Sequence, residues 1–117
     1  MWPHERLQAY QRSLTLAIHL EEVARRIPVE RRDLASQLRR ASASIVLNVA
    51  EGADEIASPE KSRFFRIARR SGAECAAILD LLAGTCLPNE TFAPERQQLD
   101  EVRRLLTGLL RRSPISP

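Results

Sequence analysis

The stretch SPEKSRFFRIARRSGAECAAILDLL, residues 58–82, decides the fold. Ser58, Pro59 and Glu60 combine a helix N-cap, a proline whose missing N–H costs nothing at the first helical position, and an acid facing the positive end of the helix dipole. Phe64, Ala68, Ser71, Cys75, Ile78 and Leu82 then follow at alternating spacings of four and three, while Phe65, Gly72, Leu79 and Cys86 repeat every seven residues beside them. That period keeps an apolar stripe on one face and predicts a long helix over 59–86.

Three further segments have the same periodicity. Over 5–27, Leu7, Tyr10, Leu14, Ala17 and Ile18 form one line and Leu16, Leu20, Val23 and Ile27 a second beside it, up to the break at Pro28. The two together are wider than a bundle seam needs, which predicts contact with another subunit. Over 33–53, Leu34, Leu38, Ala41, Ile45 and Val49 make the apolar face, with Asp33 as N-cap and Gly52 near the C-terminal end. Small residues such as Ala35, Ser42 and Ser44 fill other positions there and let neighbouring backbones approach. Over 94–112 the seam is Leu99, Val102, Leu106 and Leu109, widened by Leu105 and Leu110. Residues 113–117, Ser-Pro-Ile-Ser-Pro, cannot continue a helix and are expected to be a disordered tail. No alternation by two marks a strand. Four helices joined by short connections make one all-α domain over 1–112, an up-down antiparallel four-helix bundle.

Composition narrows the function. The 117 residues are 44% hydrophobic and 28% charged, the balance of a folded globular domain. The N-terminus lacks the basic start and apolar run of a secretory leader, and no stretch approaches the roughly 18 apolar residues of a membrane span. A cytoplasmic protein without membrane contact is expected. Cys75 and Cys86, read on one helix, lie about 16 Å apart at 1.5 Å per residue and are expected to be reduced core thiols.

Metal and hydrolytic chemistry find no residues to use. A di-iron bundle needs Glu-x-x-His on facing helices, but leucine stands three before His19, methionine three before His4, and there is no other histidine. No serine or cysteine sits beside a histidine in a nucleophile motif, and glycine-rich phosphate loops are missing. The expectation is a non-enzymatic protein with no cofactor and no metal.

Charge points elsewhere. The net charge is +3, and all basic residues except Lys61 are arginine, mostly in adjacent pairs. Arginine's planar fork binds phosphate bidentately. Arg63, Arg66 and Arg70 share a face of the third helix, with Arg69 adjacent; together with the pairs Arg39-Arg40 and Arg103-Arg104 they are the candidate phosphate contacts. Aromatic residues are only 4%, which disfavours stacking on single-stranded bases, so binding to RNA or DNA is expected to be salt-sensitive and weakly sequence-specific. The competing reading pairs these arginines internally with Glu21, Glu22, Glu74 and Asp100. On the second helix, Arg40, Ser44, Asn48 and Glu51 fall close to one face and suggest an interfacial polar network that fixes register. Glu51 and Gly52 put a carboxylate at a helix C-terminus, where the dipole disfavours it, and Arg70 is the expected compensating partner.

The run SQLRRASASI at 36–45, followed by NVAEG at 48–52, closely resembles the signature of the bacterial four-helix bundle proteins encoded in 23S rRNA intervening sequences. RFFRIA at 63–68, Ser71, Glu74 and YQRSL at 10–14 continue the likeness over nearly the whole chain. The resemblance implies an up-down bundle that assembles as a basic ring, commonly a homopentamer. It also relates the chain to the accessory protein of diversity-generating retroelements, which partners a reverse transcriptase and binds nucleic acid. Arg39, Arg40, Ser44, Asn48, Glu51 and Gly52 match the family motif, for which the family offers no established catalytic role. Gly72 and Cys75 stand where the pattern is usually leucine-rich, and Ile56-Ala57 where the loop is usually more polar.

Overall fold

A computed structural model describes residues 2–112; the expected disordered tail lies outside the described residues. Its helices are α1 (Gln8–Arg26), α2 (Arg32–Asp54), α3 (Ser58–Gly84) and α4 (Ala93–Arg112), with single 3-10 turns at Pro3–Arg6 and Val29–Arg31. Helices adjacent in sequence pack on one another, α4 closes back onto α1, and the backbones of the diagonal pairs stay apart. That ring is the up-down bundle, drawn out to 47 × 28 × 22 Å.

The core runs down the axis. Leu16, Leu20, Leu38, Ile45, Leu79, Leu82 and Leu106 are almost completely buried, each burial contributing about 1.5–3 kcal/mol. On α1 the second of the two apolar lines is the one that faces the core. The buried line is Ala9, Ser13, Leu16, Leu20, Val23 and Ile27, whereas Leu14 and Ile18 are 41% and 56% exposed. Ala9 and Ser13 complete an unbroken four-three alternation along the whole helix, while the other line stops at Glu21-Glu22. Small residues do not stand out as core, yet here they extend the seam.

Helix ends shift by one to three residues for local reasons. Ile27 takes the extended conformation required before Pro28, so α1 stops at Arg26. Asp33 is not the cap of α2: the 3-10 turn feeds the helix from Arg31, and Asp33, already inside it, accepts two hydrogen bonds from the Arg31 guanidinium (3.1 and 3.2 Å). This pairing lowers the Asp33 pKa. Ala57 rather than Ser58 caps α3, its carbonyl accepting from the Lys61 amide (2.9 Å), while Glu55 accepts from the amides of Ile56 and Ala57 in the connection before it. At the far end α3 stops at Gly84, so Cys86 lies beyond the helix and is half-buried, while Cys75 is buried. Burial, with Glu74 adding to it, pushes the Cys75 thiol up to about 12. Phe92, the residue before α4, adopts φ 53° and is 2% exposed. A left-handed phenylalanine is costly, and burying its ring offsets that cost.

The α2–α3 pair is the most extensively packed, and Gly52 explains the close approach. A Cβ there would sit 2.5 Å from Phe65 Cε1, 2.7 Å from Cδ1 and 3.2 Å from Phe64 Cβ. Only a residue without a side chain fits.

Candidate nucleic-acid interface

The motif residues of α2 separate into two groups. Ser44 and Asn48 face α3: Asn48 Nδ2 donates to the Ser44 carbonyl (2.8 Å) and Oγ (3.1 Å), and Ser71 Oγ donates across the interface to Ser44 Oγ (2.8 Å). Their hydroxyls and amide satisfy one another, and the Ser71–Ser44 bond crosses from α3 to α2. Arg40 and Glu51 are exposed and take no part.

Glu51 makes no ion pair among the described residues, so Arg70 is not its partner. The C-terminal end of α2 is compensated from another direction. Lys61 Nζ donates to the carbonyls of Gly52 (2.9 Å) and Ala53 (3.4 Å), with its ammonium 6.0 Å from the Phe65 ring centroid. A flexible ammonium with three donors can satisfy orphan carbonyls while complementing the negative helix end. The sequence reading passed over this residue; its signal was to be the only lysine among the arginines.

The candidate phosphate contacts also divide. Arg39 is paired with Glu21 across α1–α2, Nε to Oε1 at 3.0 Å and Nη2 to Oε2 at 3.0 Å. That hydrogen bond, opposed by burial and helped by the charges of Arg39 and Arg25, holds the Glu21 carboxyl below its ordinary value. Arg63 Nε pairs with Glu60 (3.2 Å), and its guanidinium lies 5.0 Å from the Phe64 ring centroid. Both arginines are about half exposed, and such pairs are worth little and exchange readily. Arg40, Arg66, Arg69, Arg70, Arg103 and Arg104 make no side-chain hydrogen bond or ion pair among the described residues. Of the acids expected to neutralise them, only Glu21 is in an ion pair among the described residues.

Four of the unpaired arginines converge. Arg66, Arg69 and Arg70 from α3 and Arg103 from α4 line one groove of about 620 Å³ between those helices. Its floor is apolar: Ala68, Gly72 and Ala76 of α3 meet Leu99, Val102 and Leu106 of α4. The groove exists because the flank of α3 turned toward α4 bears glycine and alanine rather than large side chains. A Cβ at Gly72 would meet only Ile45 and Leu99, each at 4.0 Å, so no packing constraint demands the glycine. Asp100 lines the groove without an ion pair, and Asp80, toward the other end, is paired with Arg96. Arg39, Arg40, Arg63 and Arg104 lie outside it.

Among the described residues, no group of three or more His, Cys, Asp or Glu side chains could hold a metal, and no helix is long and apolar enough to cross a membrane. The model of the family described as 23S rRNA-intervening sequence protein matches residues 5–108. No curated protein matches the chain.

Proposed function

The chain belongs to the 23S rRNA-intervening sequence protein family, and from that premise we propose that it is a non-catalytic protein that associates with RNA or DNA through phosphate contacts and works as a homo-oligomer. One observation carries the reading. Four arginines that make no ion pair among the described residues converge on a single groove, whereas seven other arginines are held in ion pairs. Holding like charges together unneutralised is unfavourable, and a polyanion removes that cost while releasing its own counterions. Arg40 and Arg104 add unpaired charge on α2 and α4, and Arg39 and Arg63 can exchange a carboxylate for a phosphate.

Self-association is supported by apolar side chains that one protomer leaves in water. Leu14 and Ile18 stand one turn apart on α1, and Leu47 and Leu81 are exposed on α2 and α3. A second copy covering them would remove that exposure. A pentamer is the stoichiometry the family resemblance implies.

The test is binding of nucleic-acid-free protein to a structured RNA and to duplex DNA across a salt series, with mass determined by light scattering. Four phosphate contacts in one groove give a slope of log K against log salt of about −3 to −4 per protomer. Arg66→Ala with Arg70→Ala weakens binding to all sequences and reduces that slope by about 2. Unchanged affinity in this variant would refute the assignment. An intact oligomer with no binding at low salt would point instead to a protein partner, such as a reverse transcriptase.

A further inference from the structure

We propose that the α3–α4 groove takes an unpaired nucleotide, its base seated on the apolar floor and its flanking phosphates held by Arg66, Arg69, Arg70 and Arg103. This inference rests on the phosphate-binding reading above and adds the kind of nucleic acid the site selects.

Three observations carry it. A site built only for duplex phosphates needs cations on a polar, convex surface, but here the cations rim a concave, mainly apolar slot of about 620 Å³. That is ample room for a base, and a double helix keeps its bases stacked and out of reach of such a slot. Second, the slot is kept open by side chains that are absent. Gly72 tolerates a Cβ sterically, and Ala73 and Ala77 are exposed, so alanine at 72 and larger residues at 73 and 77 could stand without disturbing the core. Third, Asp100 remains unneutralised although Arg103 stands one turn along α4. A free carboxylate repels phosphate but accepts from the amino group of cytosine, adenine or guanine, which assigns it to the base rather than to the backbone. The low aromatic content does not oppose this occupant, because the base is held by an aliphatic floor instead of a stacking platform.

An acidic amphipathic helix is the rival occupant, having apolar and anionic groups of its own. It would cover the slot along its length and bring its acids against Asp100. A nucleotide places its anions at the arginine end and its neutral, donor-bearing base beside that carboxylate.

The experiment uses the full chain and fluorescein-labelled oligonucleotides, one single-stranded and one a duplex of the same length and sequence, at about 50–200 mM salt. Three proteins are compared: the unaltered chain, Ala73→Leu with Ala77→Leu to fill the slot, and Arg66→Ala with Arg70→Ala to remove charge. Both alanines are exposed helix positions, and circular dichroism checks that each variant remains folded. The unaltered chain is expected to bind the single strand about tenfold tighter than the duplex, equivalent to about 1.4 kcal/mol. Filling the slot should abolish that margin and leave duplex binding within about twofold, a difference below about 0.4 kcal/mol. Removing the arginines should weaken both ligands. Equal affinity of the unaltered chain for both ligands, or a margin that survives filling, overturns the nucleotide slot while leaving phosphate binding intact. An arginine variant that binds both ligands as well as the unaltered chain overturns the phosphate reading, and the slot with it. Binding of an acidic helical peptide in preference to either oligonucleotide overturns the nucleotide in favour of a protein.

Discussion

Replacing Gly52 by alanine and, separately, Gly72 by alanine makes the same covalent change twice inside helices, with opposite expected signs. Alanine is the better helix former in both cases, by about 0.8–1.0 kcal/mol. At Gly72 nothing opposes that gain, since the new methyl would touch Ile45 and Leu99 at an ordinary 4.0 Å. The Gly72 variant should therefore be more stable by up to about 1 kcal/mol. At Gly52 the methyl would fall 2.5 and 2.7 Å from two atoms of the Phe65 ring and 3.2 Å from Phe64 Cβ. Carbon atoms prefer about 3.5–4.0 Å, and the ring is buried and cannot swing freely. Overpacking of this kind costs about 1–3 kcal/mol, and separating α2 from α3 also disturbs the Lys61 bond to the Gly52 carbonyl. Setting the cost against the propensity gain leaves a net loss of up to about 2 kcal/mol, with the two variants differing by about 1–3 kcal/mol. Urea unfolding followed by circular dichroism at one fixed protein concentration measures both, the concentration being held because self-association shifts apparent stability. A Gly52→Ala protein as stable as Gly72→Ala would refute the close-approach argument.

Lys61→Met keeps the aliphatic stem and removes the charge that satisfies two α2 carbonyls, so stability should fall by about 1 kcal/mol in the same assay; no loss would mean that water caps the helix equally well. The lowered Glu21 pKa fixes a sign. A carboxyl depressed on folding adds stability above about pH 4.3, the unfolded value, and that stability is lost as pH falls through the folded value. Glu21→Gln should accordingly lower stability slightly near neutrality, where the ionised pair is intact, and converge on the unaltered chain as pH falls below about 4.3; an unaltered pH profile would contradict the pairing with Arg39. Thiol titration with a disulfide reagent at mild alkaline pH should show two phases, with the half-buried Cys86 reacting promptly and Cys75, buried and pushed up to about 12, reacting only as fast as the bundle opens. Simultaneous reaction would place Cys75 at the surface.

The four helices were legible because long three-four patterns survive local irregularity. Leu34, Leu38, Ala41, Ile45 and Val49 are buried as their spacing requires, and so are Ala68, Cys75, Ile78 and Leu82. What pattern could not rank was α1, where two apolar lines of equal pitch compete and the winner is completed by Ala9 and Ser13, residues with little hydropathy of their own. Helix caps were misplaced because the N-caps of α2 and α3, Arg31 and Ala57, make no side-chain cap bond, so residue type gave no signal of where either helix starts. Phe92 gave no periodic signal, because its left-handed backbone lies outside any helix and tertiary burial alone holds it there. For the candidate site, the arginines could be named in advance, but whether an arginine is neutralised depends on contacts across helices. Arg39 meets Glu21 18 residues away, whereas Arg66, Arg69, Arg70 and Arg103 form no ion pair among the described residues. The groove itself was invisible, since it arises from the size of Gly72 and Ala76 rather than from the identity of any reactive group.

The solitary lysine has a practical consequence for anyone mapping surfaces on this protein. Apart from the chain terminus, its ε-amino group is the one primary amine available to acylating labels and amine-directed cross-linkers, and it is occupied in closing the end of α2. Acylation consumes the ammonium that makes that closure. An amine-reactive footprint of this chain therefore measures how often the α2 terminus frays, and a bound polyanion that protects the arginines leaves the footprint unchanged unless it also tightens that end of the bundle.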